Sequence, residues 1–175
     1  MDPKERLPAE WPDLDIRAML RSLVEAGVEF VVIGGVALWL HGYPRVTRDL
    51  DIVFAQDETN LEMLGRVLVE LKAQLRGVDD HVPFVADGQT LRGIELLTLT
   101  TSVGWLDVHR LPRGVSGYER LRRNAEHVDL GGFSVLVASP DDLIAMKEAA
   151  GRPQDQIDVA ALEAIKRLRK QLDRR

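Results

Sequence analysis

The sequence predicts an α/β (α+β) fold, a small mixed sheet flanked by helices with a helical C-terminal part. Three observations carry this. A wholly apolar, β-branched run at 30–33 ends in Gly34-Gly35 and reads as a buried strand. Further short strand patterns follow at 50–54, 93–99, 103–109 and 134–137, separated by helix-period segments rather than by tight hairpins alone. From Ser139 onward the signals are those of helices. A chain of 175 residues, 45% apolar, can bury one core of ordinary size. Residues 1–175 are therefore read as one domain, with an α/β core over 16–138 and C-terminal helices over 139–175.

The elements follow in order. Ile16, Met19, Leu20 and Leu23 form a helix stripe, with Gly27 where a C-terminal cap residue belongs. Val36 to His41 gives a short helix, broken by Gly42-Tyr43-Pro44. Leu50 to Phe54 forms a second strand. Thr59 to Leu75 is an amphipathic helix with Leu61, Leu64, Leu68 and Leu71 on one face. Gly117 to Asn124 is a weak helix. Ser139 and Pro140 suit an N-cap and first turn, Gly151 ends that helix, and Pro153 opens the last one, which runs to about Leu172.

Composition narrows the function classes. No apolar run approaches the roughly 18 residues needed to span a bilayer. The opening MDPKERLPAEWPDLD lacks the pattern of a secretory leader, so the expectation is a cytoplasmic protein with no membrane partner. The absence of cysteine excludes disulfides, thiolate catalysis and cysteine zinc sites. A net charge of −5 argues against a dedicated nucleic-acid coat. The charge is uneven: 49–87 is acidic, whereas Arg110 to Arg123 and Lys166 to Arg175 are basic and leave room for a local RNA-facing surface.

The chemistry concentrates in FVVIGGVALWLHGYPRVTRDLDIVF. Asp49 and Asp51, two apart on a strand, project to the same face, while Leu50 points to the core. Two adjacent carboxylates repel each other unless a cation or a shared proton offsets them, and hard carboxylate oxygens suit magnesium. Gly34 and Gly35 supply the complement, a side-chain-free turn where a phosphate can approach backbone N–H groups at a helix start. Arg45 and Arg48 stand just before the carboxylates, close enough to contact phosphates; neutralising the acidic cluster or simply facing solvent is the alternative.

A Gly-Gly turn after an apolar strand, followed by Asp-apolar-Asp, resembles the signature of the DNA polymerase beta-like nucleotidyltransferases. The fuller phrase GGVALWLHGYPRVTRDLDIVF is similar to the small bacterial toxin–antitoxin and abortive-infection (AbiEii-like) members, over about 30–164 of this chain. The resemblance implies transfer of a nucleoside monophosphate from a nucleoside triphosphate to a hydroxyl, with two Mg2+ ions, Mn2+ being the substitute. It implies a third carboxylate from a neighbouring strand. Asp107, which interrupts the apolar Gly104 to His109, fits better than Glu95. On this likeness Asp49 and Asp51 bind both ions, and Asp107 the one nearer the nucleophile.

The segment LIAMKEAAGRPQDQIDVAAL looks like the C-terminal motif of the abortive-infection group. It carries over to Lys147 touching the triphosphate and Asp158 orienting it or its neighbours, with Arg152 and Asp155 as weaker candidates; a purely structural Lys147–Asp158 pair is the alternative. The acceptor implied is RNA, such as a tRNA 3′ end. A small molecule of the aminoglycoside kind is the enzymatic alternative, and an antitoxin-like subunit that binds or modifies a partner protein is the alternative from another class. Trp39 and Trp105 read as core residues, Tyr43 as core or stacking residue, and Asp141 and Asp142 as helix-capping acids. His109 shares the face of Asp107, but no second histidine at metal-ligand spacing accompanies it.

Overall fold

The computed structural model describes residues 13–78 and 84–174. The opening segment, including the stretch read as lacking a leader, lies outside the described residues except for its last positions. The elements run α1 Ile16–Glu25, β1 Phe30–Ile33, α2 Gly34–Leu40, β2 Asp49–Phe54, α3 Glu58–Glu70, β3 Gln74–Leu75 and α4 Gly88–Arg92. They continue with β4 Leu96–Thr101, β5 Gly104–His109, α5 Tyr118–Asn124, β6 Glu126–Asp129, β7 Ser134–Val137, α6 Pro140–Ala150 and α7 Pro153–Leu172. The seven strands form one mixed sheet in the order β3-β4-β5-β2-β1-β7-β6.

The centre of the sheet is built from its most apolar strands. All four residues of β1 are buried, and β1 pairs antiparallel with β2 and parallel with β7. β2 in turn pairs parallel with β5, which pairs antiparallel with β4. A strand with neighbours on both sides and layers on both faces has no solvent side, so its sequence is continuously apolar. α1 and α3 cover the sheet with Met19, Leu20, Leu23, Leu61, Leu64 and Leu68, each at most 1% exposed. Burial of each such side chain contributes about 1.5–3 kcal/mol before entropy is counted.

Several boundaries differ from the sequence reading, for local reasons. α3 stops at Glu70, because Lys72 turns to φ 54, and Gln74–Leu75 joins the sheet edge against β4. β4 starts at Leu96 rather than at Gly93, which closes the short helix α4. α4, β3 and β6 were not evident in the pattern; each is only two to five residues long and gains its place from pairing or packing rather than from periodicity. Trp39 is a correction: it is 51% exposed, since α2 has only one buried face, made by Val36, Ala37 and Leu38. Trp105 is half-buried at the sheet surface.

The two C-terminal helices close one end of the sheet. Ser139 caps α6 by accepting from the Asp142 N–H at 3.2 Å, Pro140 occupies the first turn, and Gly151 ends the helix in the left-handed conformation. α7 then folds back on α6, locked by buried ion pairs described below. Asp142 is bound by its own cap and by Asn124 at 3.1 Å, so the capping role read for it is what the structure shows. Among the described residues no helix is long and apolar enough to cross a membrane.

Candidate active site

β2 and β5 run parallel in a register that sets Asp49 beside Trp105 and Asp51 beside Asp107. Alternation does the rest. Leu50, Leu106 and Val108 are fully buried, while Asp49, Asp51, Trp105, Asp107 and His109 share the opposite face. Three carboxylates therefore sit together on one wall of a cleft of about 540 Å³. Glu95, the rival to Asp107, lies outside β4, exposed and paired with Arg110 at 3.3 Å.

Each carboxylate is held by a specific neighbour. The Thr47 hydroxyl donates to the Asp49 carbonyl at 3.1 Å and lies 3.3 Å from Asp49 Oδ1. His109 Nε2 lies 2.9 Å from Asp51 Oδ1. Arg76 Nη2 lies 2.8 Å from Asp107 Oδ1 and donates to Oδ2 at 3.1 Å. Burial pushes the Asp107 carboxyl up to about 6; Arg76 pulls it back, and Asp51 and Asp49 add to the rise.

Gly34 and Gly35 form the first turn of α2 and floor the cleft. Gly34 has φ +68, and a β-carbon there would collide with Asp51 Oδ2. A β-carbon on Gly35 would come within 2.7 Å of the Thr47 hydroxyl. The glycine pair thus does two things at once: it leaves backbone open to the cleft, and it lets the β1–α2 turn press against the carboxylate strand.

The cleft also carries cations: Arg45, Arg113, Lys147 and Arg152 line it, together with Leu143 and Met146 of α6. Two buried aspartates of α7 hold three of them, Arg45, Lys147 and Arg152. Lys147 Nζ lies 2.8 Å from Asp158 Oδ2 and 3.2 Å from Asp155 Oδ1, Arg45 reaches Asp158 at 2.6 Å, and Arg152 Nε reaches Asp155 at 2.9 Å. Burial raises the Asp155 carboxyl, yet the bonds from Arg152 and Lys147 outweigh it and hold it at about 2. Asp158 is completely buried and does not line the cleft. It touches Arg45 and Lys147 instead, so it can orient them but not reach a ligand directly.

The structure thus brings Gly34, Gly35, Arg45, Asp49, Asp51, Asp107 and Lys147 to one cleft, with Asp158 beneath. Arg48 is exposed and outside the lining. Arg76, Arg113 and the bond from His109 to Asp51 were not foreseen. Arg113 lay within the basic stretch at 110–123, a signal too diffuse to single it out. Arg76 had no sequence signal.

The donor set fits a hard divalent cation. It is three carboxylates on adjacent strands, of which Asp107 Oδ1 is buried without an aligned hydrogen-bond donor. Among the described residues no group of three or more His, Asp or Glu side chains is arranged so that it could hold a metal ion; magnesium commonly binds through one or two carboxylates together with substrate phosphates and water.

A sheet of this order, carrying paired carboxylates beside a glycine turn, places the molecule in the class of nucleotidyltransferases with the polymerase beta-like fold. The chain belongs to the family described as "Nucleotidyl transferase AbiEii toxin, Type IV TA system", which it matches over residues 17–172. Among solved structures it is similar to the lincosamide antibiotic adenylyltransferase LnuA bound to lincomycin, at 14% identity and TM-score 0.56, covering 86% of this chain and 95% of that one. It is similar also to ANT(2")-Ia in complex with adenylyl-2"-tobramycin, at 15% identity and TM-score 0.54, covering 89% and 92%. An antigenic nucleotidyltransferase-like protein from Paracoccidioides brasiliensis matches at 15% identity and TM-score 0.53, covering 89% and 76%. At these identities the likeness concerns the fold. A search of curated proteins finds no match.

Proposed function

We propose that the chain, acting as a single catalytic domain, transfers a nucleoside monophosphate from a nucleoside triphosphate to an acceptor hydroxyl and releases pyrophosphate. The observation that carries this reading is that one cleft is lined both by the carboxylates Asp49, Asp51 and Asp107 and by the cations Arg45, Arg113, Lys147 and Arg152. A triphosphate lying between them would meet cations along its β and γ groups and place its α-phosphorus near the carboxylates. Charges fixed before the substrate arrives need no reorganisation during the reaction.

Asp49 and Asp51 are the residues that would hold Mg2+, or Mn2+ in its place, with Asp107 on the acceptor side. A divalent ion bound there supplies charge neutralisation for the transferring phosphoryl and a lower pKa for the attacking hydroxyl. The protein's own parts do the positioning. Gly34 and Gly35 offer backbone to the phosphates, Lys147 and Arg45 grip the non-transferred groups, and Asp158 and Asp155 keep those cations aimed. Asp107 would accept the proton of the incoming hydroxyl. A cytoplasmic site of action suits a reaction that consumes nucleoside triphosphates.

RNA, with a tRNA 3′ end as the leading case, is the acceptor we favour. Pro112 and Arg113 line the cleft, and the basic stretch of the sequence that follows them carries Arg120, Arg122 and Arg123; basic charge of this kind suits a phosphate backbone. The family's description as the toxin of a type IV toxin–antitoxin system supports a cognate antitoxin as partner. A small-molecule acceptor is the second reading, favoured by the shared fold of two antibiotic-modifying enzymes and by the carboxylate-rich wall, which would attract a cationic drug.

The test incubates purified protein with Mg2+, each labelled nucleoside triphosphate and total tRNA, beside an Asp49→Ala, Asp51→Ala control. Label on RNA that disappears in the control supports the first reading. Transfer only to an aminoglycoside or lincosamide panel supports the second, and no transfer with either acceptor overturns both.

A further inference from the structure

Asp107 already has a counter-charge from within the chain, and the way it is held is unusual. The Arg76 main-chain N–H donates to the Thr98 carbonyl at 2.9 Å, and Thr98 pairs with Asp107 in the β4–β5 ladder. From that anchor the Arg76 side chain crosses β4, lies over the Trp105 ring at 4.6 Å from its centroid and ends on the Asp107 carboxylate. A guanidinium locked to a carboxylate normally uses two parallel N–H···O bonds from two nitrogens. Here Nη2 alone approaches the carboxylate, donating to Oδ2 and lying 2.8 Å from Oδ1 without alignment, while Nη1 is buried with no hydrogen-bond partner. Both groups retain unspent bonding capacity at the point where the carboxylate wall faces the cleft.

We propose that Arg76 is a resident counter-cation of Asp107 that yields its place when a divalent cation binds the carboxylate wall, with Trp105 as the platform it leaves. The proposal rests on the metal-dependent reading above. It makes Arg76 a positioning residue: it keeps Asp107 aligned with Asp51 before the cation arrives, and it competes with that cation for Asp107. Cation affinity is then set partly by a residue that never touches the substrate.

The experiment uses a Trp11→Phe, Trp39→Phe background, in which Trp105 is the sole tryptophan. Mg2+ is titrated with a nonhydrolysable ATP analogue present, following Trp105 emission and, in parallel, binding heat. Mg2+ should change Trp105 emission in this background. Arg76→Ala should show altered emission from the start, no Mg2+-dependent change, and Mg2+ binding tightened about fivefold, the scale of one lost competing hydrogen bond. Arg76→Lys, which keeps the charge without the fork or the stack, should fall between. Arg66→Ala, an exposed arginine on α3, should leave Mg2+ binding unchanged and so separates direct competition from general charge.

If Arg76→Ala fails to fold, the lysine variant carries the same comparison. Mg2+ binding that depends on Asp49 and Asp51 but leaves Trp105 emission and the Arg76→Ala affinity unaltered, or weakens that affinity, overturns this inference and leaves the transferase reading standing. No Mg2+ binding in any variant overturns both.

Discussion

Asp51 and Asp107 face each other across the parallel β2–β5 pair, at the same level of the ladder, with Asp49 one step along the same face. Parallel register fixes this spacing through backbone hydrogen bonds, so neither side chain can withdraw without moving a central strand. Such enforced proximity of like charges costs stability, and a site that keeps it does so for what it binds. Replacing Asp51 with Asn should lower the transfer rate at least about a hundredfold, the loss expected when reacting groups are misplaced. It should not lower the melting temperature, because a repulsive charge is removed. Steady-state kinetics and a thermal melt on the same preparation check both halves.

Gly34 is the tightest point of the β1–α2 turn. Its φ of +68 favours glycine, and a β-carbon there would overlap Asp51 Oδ2. Gly42 has φ +99, but nothing lies within 4 Å of its missing β-carbon. Gly34→Ala should therefore cost the backbone strain of about 1 kcal/mol plus displacement of Asp51, and should abolish transfer. Gly42→Ala should cost the strain alone and retain transfer. Denaturant unfolding and activity measured on the two variants separate a packing glycine from a merely conformational one.

What could be read in advance follows from how local each feature is. The β1–Gly-Gly–α2 turn and the Asp-Leu-Asp strand lie within about 20 residues, and side-chain alternation alone says that Asp49 and Asp51 share a face. The family resemblance implies a third carboxylate from a neighbouring strand, and Asp107 was chosen for it because a charged residue inside an apolar strand is costly unless paired. Arg76 was invisible, since only the β3–β4 edge pairing, two residues long, brings it across to β5. Trp39 was misread for the reverse reason: aromatic residues are usually buried, but α2 offers only one face to the core and Trp39 is on the other. The short elements β3, α4 and β6 carry too few residues for a period to show.

Asp158 is the pivot of the cationic cluster. It is fully buried and accepts from both Lys147 and Arg45, while Gln154 also reaches it at 3.3 Å. Asp158→Asn keeps the shape but removes the charge, leaving buried Lys147 with Asp155 alone. Breaking a buried pair costs about 3–5 kcal/mol when nothing replaces it. Because Asp155 remains, about 2 kcal/mol is expected, a fall in melting temperature of roughly 4–8 °C for a chain of this size. The KM for nucleoside triphosphate should rise more than kcat falls, since the carboxylate wall is untouched. A kcat loss with unchanged KM would instead place Asp158 on the reacting groups.

Asp155 gives the cationic cluster a pH limit. Its carboxyl sits at about 2 in the folded chain against an ordinary value of 3.8, because Arg152 and Lys147 outweigh the effect of burial. A group whose folded pKa lies below its unfolded one stabilises the fold above the unfolded value and ceases to do so as pH falls through the folded value. The contribution is therefore complete above about pH 5 and fades between about pH 4 and pH 2. Nearly two pKa units correspond to stability on the order of 2 kcal/mol. Asp155→Asn should accordingly be less stable than the wild-type chain at pH 7, and the gap in denaturant midpoint should close as pH approaches 2. A gap that stays constant over that range would mean that Asp155 stabilises α7 by its hydrogen bonds to the Arg152 backbone alone, and that the charge of Lys147 is borne by Asp158.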